Sequence, residues 1–302
     1  MSTKSKGTLI ALIGIAIWST SGVLISYLLI NYPFTSLSLA FWRNLIISIF
    51  LLPVLFVFRR KSLILDKKHI VFTLFYGAFL AVFNSIWVLS VFYNGAAVAT
   101  VLAYSSAGFT AILAYFIFQE KITGPKIVAI ILSLGGSILV SKAYSPEMWA
   151  NNLLGIVVGL TTGAFFAGYT LFGKASLLRH IDPWGSMFYT FLTGSAFILI
   201  FNLIPVIPGA AGSISAVVPV METAGWAWMI FLSLGPTLLG FGMYNISMMF
   251  IPASVTNILA TTEPAMTAIQ AYFFLGEQLN WVQILGSLII VSAVLILRLS
   301  EK

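Results

Sequence analysis

Residues 253–279 read ASVTNILATTEPAMTAIQAYFFLGEQL, and residues 96–122 read AAVATVLAYSSAGFTAILAYFIFQEKI. Shifted by 157 positions, they pair Val98 with Val255, Leu102 with Leu259 and Ala103 with Ala260. The runs Thr110-Ala111-Ile112 and Ala114-Tyr115-Phe116 recur as Thr267-Ala268-Ile269 and Ala271-Tyr272-Phe273, and Glu120 meets Glu277. Unrelated apolar helices share Leu and Ile through composition alone. They do not share three-residue runs and a closing glutamate in register, so the chain carries an internal repeat. Elsewhere the halves align more loosely. Gly7 to Gly22 laid on Gly155 to Thr170 sets Trp18 opposite Phe166.

The medium of this repeat follows from composition. Of 302 residues, 60% are hydrophobic and 8% charged, against about 25% charged in soluble chains. This is the composition of an integral membrane protein. A span needs about 20 apolar residues, and breaks at charges and at Pro, Gly or Asn clusters predict ten: 7–29, 35–58, 69–93, 96–118, 124–142, 153–174, 183–206, 225–250, 254–275 and 281–299. The weakest breaks are NGA at 94–96 and FIPAS at 250–254. The opening MSTKSKGTLIALIGIAIW resembles a signal peptide. No small-x-small cleavage site closes it, so it reads as a retained first span.

With the N-terminus inside, Lys4, Lys6, Arg59, Arg60, Lys61, Lys67, Lys68, Lys121, Lys126, Lys174, Arg179, Arg298 and Lys302 all fall on the cytoplasmic side. Lys142 falls outside and Arg43 within a span. The asymmetry is the one expected of cytoplasmic loops. The net charge of +7 therefore reflects insertion and calls for no nucleic-acid partner. Each half, 1–145 and 146–302, holds five spans, an odd number, so the second enters the lipid from the opposite side. The expected fold is all-α, two inverted five-helix repeats around a central cavity, with both termini cytoplasmic in the cell membrane. Inverted repeats of this kind build secondary transporters, with substrate near the midplane.

The pattern resembles the drug/metabolite transporter superfamily, specifically its ten-span EamA branch. The resemblance rests on WSTSG (18–22), AFWRN (40–44) and ILATTEPAMTAIQAYFFLGEQLNWVQILGSLIIVSAV (258–294), and covers nearly the whole chain. It implies a basket of helices one, three, four, six, eight and nine around the cavity, with five and ten peripheral. One departure from internal symmetry stands out: Ser106-Ala107 in the first half faces Glu263-Pro264 in the second.

Glu263 lies near the middle of the ninth span, where an ionisable group costs about 2.5–3.5 kcal/mol on insertion scales. It must face protein or water. Pro264 removes a helix hydrogen bond and crowds the Ala260 carbonyl, predicting a kink there; Gly235-Pro236 predicts a bend in span eight. Thr256, Glu263, Thr267 and Gln270 recur at helical spacing as one polar stripe flanked by Asn257 and Thr261. The stripe is read either as a cavity wall that binds a polar substrate or a proton, or as a structural kink tied by interhelical hydrogen bonds. Arg43 is read as a counter-ion to a substrate carboxylate, or as a snorkelling or packing arginine. Trp18, Ser19, Asn84, Trp87, Tyr104, Ser105, Tyr169, Tyr244 and Asn245 complete the candidate cavity set, since aromatics with a polar edge suit amphipathic solutes. The glycine-rich stretches 159–168 and 232–242 read as close helix packing or as a hinge. The basic loop 59–69 is a cytoplasmic anchor that can sit against anionic lipid, and 207–223 suggests a short interfacial helix.

Cysteine is absent, which excludes disulfides, thiolate zinc and iron–sulfur clusters. His69 and His180 both sit beside charged loop residues, so no metal or cofactor is expected. There is no GxxxxGK[ST] loop for a nucleotide. The favoured function is secondary export of small amphipathic metabolites such as amino acids, by a monomer or homodimer. The alternatives are a transporter of drugs, nucleosides or cationic compounds on the same fold, a membrane-embedded enzyme, or a channel.

Overall fold

The computed structural model describes residues 3–140, 143–148, 153–275 and 280–300. Among these the regular structure is helical, with no strand. The helices are α1 (Thr3–Trp18), α2 (Ser21–Asn31), α3 (Ser36–Phe58), α4 (Lys67–Ala103), α5 (Ser106–Phe118), α6 (Gly124–Val140), α7 (Leu153–Leu178), α8 (Pro183–Asn202), α9 (Ile214–Val217), α10 (Thr223–Leu232), α11 (Phe241–Ser247), α12 (Ala253–Ala260), α13 (Glu263–Leu275) and α14 (Trp281–Ser300). Among the described residues, seven stretches are long and apolar enough to cross a membrane: Thr3–Asn31, Ser36–Phe58, Lys67–Ala96, Val98–Phe118, Leu153–Leu178, Pro183–Asn202 and Thr223–Ser247. Gly124–Val140 and Trp281–Leu297 are shorter apolar helices.

The exterior is apolar, and polar side chains are gathered in an otherwise hydrophobic interior. Ile30 is 81% exposed and Phe58 80%, while Arg43, Asn44, Asn84, Asn257 and Glu263 are buried. Apolar side chains make up the outer surface and these polar ones are kept from it, as lipid requires. Within the bundle, α4 packs on α7 and α8, α3 on α8, α6 on α14, α1 on α11, and α5 on α7 and α12.

Several breaks fall where the sequence carries little signal. The boundary at 94–96 is a single residue, Gly95, at φ 71° inside otherwise continuous helix; this left-handed conformation is natural to glycine. At 250–254 the chain turns between α11 and α12, with Pro252 immediately before α12. The bend expected at Pro236 is a π-helical stretch, Ser233–Gly240, where the Thr237 hydroxyl donates to the Leu232 carbonyl (2.8 Å). Pro264 does not kink a continuous helix. The helix ends at Ala260 and restarts at Glu263, so Pro264 sits in the first turn of α13, where no intrahelical partner is lost. In 207–223 the one helical turn, α9, is tied to α3, with Trp42 Nε1 donating to the Val217 carbonyl (2.9 Å).

Candidate functional site

Three helix breaks meet in the interior: α1/α2 at Ser19–Thr20, α4/α5 at Tyr104–Ser105, and α12/α13 at Thr261–Thr262. A break inside a membrane protein interrupts the backbone ladder where water cannot repair it. Hydroxyls next to each break bond carbonyls of the preceding turn, and those of Leu102, Ile258 and Leu259 also accept a backbone N–H. Ser19 bonds the Ala16 carbonyl (2.7 Å), Ser105 that of Leu102 (2.7 Å), Thr261 that of Ile258 (2.6 Å) and Thr262 that of Leu259 (2.8 Å). From the far side, Thr267 donates to the Ser19 carbonyl (3.0 Å) and Gln270 to that of Ala16 (2.8 Å). Ser19, Ser105, Thr267 and Gln270 thus hold the breaks together.

The breaks present three side chains to one point. Trp18 is the last residue of α1, Tyr104 follows α4, and Glu263 opens α13. Trp18 Nε1 and the Tyr104 hydroxyl both donate to Glu263 Oε2. All three residues are buried, and the carboxyl stands at a helix N-terminus, which favours negative charge.

Around this carboxyl lies a cavity walled by Trp18, Trp87, Tyr104, Phe83, Phe166 and Phe241, with Ser21, Thr100 and Ala103 completing the lining. About 40 Å³ is open to the centre of a water, and one water needs about 10–15 Å³ on that measure. In this conformation the space admits a few waters rather than a metabolite. The Trp18 ring lies 5.0 Å from Phe241, 5.1 Å from Tyr244 and 5.9 Å from Phe166, and Phe83 stacks on Phe166 at 5.4 Å. A carboxylate among aromatic faces suits an amine or other organic cation.

Beyond the cavity wall runs a polar network. Ser106 donates to Asn257 Oδ1 (2.9 Å), Asn257 Nδ2 to Thr170 (3.1 Å) and to the Tyr244 hydroxyl (3.2 Å), and Thr170 bonds Tyr244 (2.7 Å). Asn245 donates to the Tyr169 hydroxyl (2.7 Å). Thr256 bonds the Pro252 carbonyl (3.1 Å), one turn back on its own helix. Tyr169, Tyr244, Asn245 and Thr256 therefore stand behind the lining.

Arg43 does not snorkel. It is 1% exposed, and its Nη2 donates to Asn84 Oδ1, whose amide nitrogen in turn donates to Asn44 Oδ1 (2.8 Å). Its Nε has no hydrogen-bond partner, and it makes no ion pair among the described residues. Asn44 holds Asn84 in place to accept from the arginine.

Sequence reasoning missed Ser21, Phe83, Thr100, Ala103 and Phe241 as lining. Phe166 had a signal, its alignment opposite Trp18, which it touches. The glycine-rich stretch 159–168 is packed close: a Cβ on Gly159 would lie 2.3 Å from Leu102 and one on Gly163 2.0 Å from Ser105. Glu277 lies outside the described residues, as do Lys142 and Lys302.

A solved crystal structure superposes on this chain with a TM-score of 0.76 over 98% of both chains at 15% identity, which speaks to the fold. An uncharacterized transporter of Archaeoglobus fulgidus is 28% identical over 72% of this chain and 74% of its own. The uncharacterized inner membrane transporter YicL of Salmonella typhimurium is 25% identical over 100% of this chain and 98% of its own, and the uncharacterized transporter YetK of Bacillus subtilis 26% over 86% and 77%. The model of the EamA-like transporter family matches twice, at residues 5–142 and 153–299. One match takes in Trp18 and Tyr104 and the other Glu263, so the three breaks join the two matched halves, and the chain belongs to the EamA-like transporter family, as a multi-pass membrane transporter.

Proposed function

We propose that the protein is a secondary transporter that exports small amphipathic metabolites such as amino acids across the cell membrane, by alternating access between two inverted halves. The halves are 1–145 and 146–302, with five spans each and both termini cytoplasmic. The observation that carries the reading is Glu263 of one half held by Trp18 and Tyr104 of the other at the wall of a cavity. Helix pairing supports the symmetry. Under the repeat, α3 corresponds to α8 and α6 to α14, and each pair is in contact; the α4–α7 packing has its counterpart in α11–α1. The sidedness of the cations supports the orientation. Lys174 reaches the Met248 carbonyl (2.7 Å), Lys6 lies over Phe250 and Lys126 bonds Ser254 (2.8 Å), which gathers basic residues at one end.

The aromatic walls around a carboxylate favour a second reading, transport of amphipathic organic cations. Both readings require an ammonium-like group at Glu263. Purified protein in proteoliposomes, offered labelled amino acids and quaternary amines with and without a proton gradient, distinguishes them. The expected result is saturable uptake accelerated by substrate on the opposite side. Uptake that rises linearly and ignores substrate on the opposite side overturns the carrier in favour of a channel.

A further inference from the structure

A second cavity, larger than the one at Glu263, opens at the basic end of the bundle, with about 530 Å³ on the same measure. Leu63 and Leu65 of the α3–α4 loop, Ile70 and Leu74 of α4, and Tyr189 and Thr193 of α8 line it. The loop is fixed over this space. The Tyr189 hydroxyl donates to the Leu63 carbonyl (2.6 Å), Arg59 pairs with Asp182 (3.4 Å), and the Ser62 carbonyl fits where a Cβ on Gly185 would come within 2.1 Å.

Cations flank the lining segment on both sides in sequence. Arg59, Arg60 and Lys61 precede the lining segment and Lys67 and Lys68 follow it, with Asp66 the sole acid of that loop. Lys68 pairs with Asp66 (3.4 Å), while Lys61 and Lys67 make no ion pair among the described residues. All five cations are exposed. They stand where α3 ends and α4 begins, at the end of two apolar helices, and Ile70 and Leu74 lie one to two turns deeper. Val71 and Phe75, 63% and 66% exposed, continue the apolar surface of α4 outward. An acyl-sized apolar chamber beneath a cluster of cations matches an amphiphile with an anionic head. It does not match a free phosphate, which has nothing to place in the chamber.

We propose that this cavity binds an anionic phospholipid of the leaflet at the basic end, with its phosphate among Arg60, Lys61 and Lys67 and one acyl chain between α4 and α8. The site is separate from the cavity at Glu263 and requires only that the protein lie in a membrane.

The chain has no cysteine, so a single Ile64→Cys at the cavity edge takes one fluorophore. The probes are phosphatidylglycerol and phosphatidylcholine with brominated chains, mixed into liposomes carrying the full-length protein. Phosphatidylglycerol should quench at a mole fraction at least about tenfold lower than phosphatidylcholine, from the summed attraction of the loop cations. Adding Arg60→Gln, Lys61→Gln and Lys67→Gln should abolish that preference. Leu74→Trp, at a half-exposed lining position, narrows the cavity from its α4 wall and keeps every cation, and it should abolish the preference too. Equal quenching by the two lipids overturns the site. So does a preference that survives Leu74→Trp, because it would then reflect attraction to the charged surface alone. Thermal unfolding of each variant in detergent reports folding, and Lys61→Gln alone, at an exposed position, provides a graded response should the triple variant fail to fold.

Discussion

The Tyr104 hydroxyl reaches the Glu263 carboxyl from a break that is the repeat counterpart of the break on which Glu263 sits: positions 104–105 map onto 261–262 under the 157-residue shift. The first break forms without a proline, so proline is not what opens the second. Pro264 and Glu263 give one copy of a shared backbone device its chemistry. The carboxyl then draws Trp18 from a third break and fixes all three.

Glu263→Gln separates charge from architecture. The amide oxygen still accepts a hydrogen bond, so thermal unfolding in detergent should change by no more than about 1 kcal/mol. Uptake of an ammonium-bearing substrate should fall at least about tenfold, equivalent to the loss of about 1.4 kcal/mol, and accumulation driven by a proton gradient should vanish. Glu263→Ala strands the Trp18 and Tyr104 donors, at about 1–3 kcal/mol each, and should also lower the unfolding temperature. Wild-type flux in the Gln variant would remove the carboxylate from the mechanism.

Arg43 answers a different question. A buried cation bonded to a neutral amide, with no ion pair among the described residues, contributes little stability, and apolar replacements of buried charges are often neutral or stabilising by about 1–4 kcal/mol. Arg43→Met should therefore fold as well as wild type. If the arginine is kept for a substrate carboxylate, the variant slows amino-acid uptake at least about tenfold and leaves a quaternary amine unaffected. Equal slowing of both solutes would instead make Arg43 a packing residue, acting through Asn84 and Asn44.

How much of this was legible in the sequence depends on range. Apolar runs and cation sidedness set the helix positions because both are local signals. The breaks had a local signal too, adjacent hydroxyls at 19–20, 105–106 and 261–262 amid apolar residues. Such pairs supply the side chains that bond carbonyls three residues back, a weaker mark in sequence than proline or glycine. Glu263 was visible as an isolated acid, whereas its partners were not, since Trp18 lies 245 residues away and only packing selects it. Arg43 was open to a lipid-facing reading because a helix position does not reveal which neighbour, here Asn84 on α4, stands opposite.

At the basic end, Glu120 caps the start of α12. It accepts from the Ala253 amide (2.9 Å), the Ser254 amide (3.3 Å) and the Ser254 hydroxyl, and it pairs with Lys126 at 3.8 Å. This joins the end of α5 to the opposite half. Loss of a helix cap costs about 0.5–2 kcal/mol, a roughly 2- to 30-fold shift in an opening equilibrium. In the cysteine-free chain, Thr256→Cys is fully buried just above the latch, and adding Glu120→Ala should raise its labelling rate from the basic side by that factor. An unchanged rate would mean that the latch does not hold this end closed.

The α6–α14 seam tests where the moving parts stop. A Cβ on Gly136 would lie 2.7 Å from the Gly286 carbonyl, and one on Gly286 2.8 Å from the Gly136 carbonyl, so each glycine admits the other's backbone. Neither helix contributes to the lining of the cavity at Glu263. Gly136→Leu should overpack the seam and cost about 1–3 kcal/mol. Adding Gly286→Leu should cost less than a second such penalty, because the first has already parted the helices. Stability should therefore fall while uptake per folded molecule holds. If uptake per folded molecule drops as far as in Glu263→Gln, these two helices move with the transport cycle and are not a static buttress beside it.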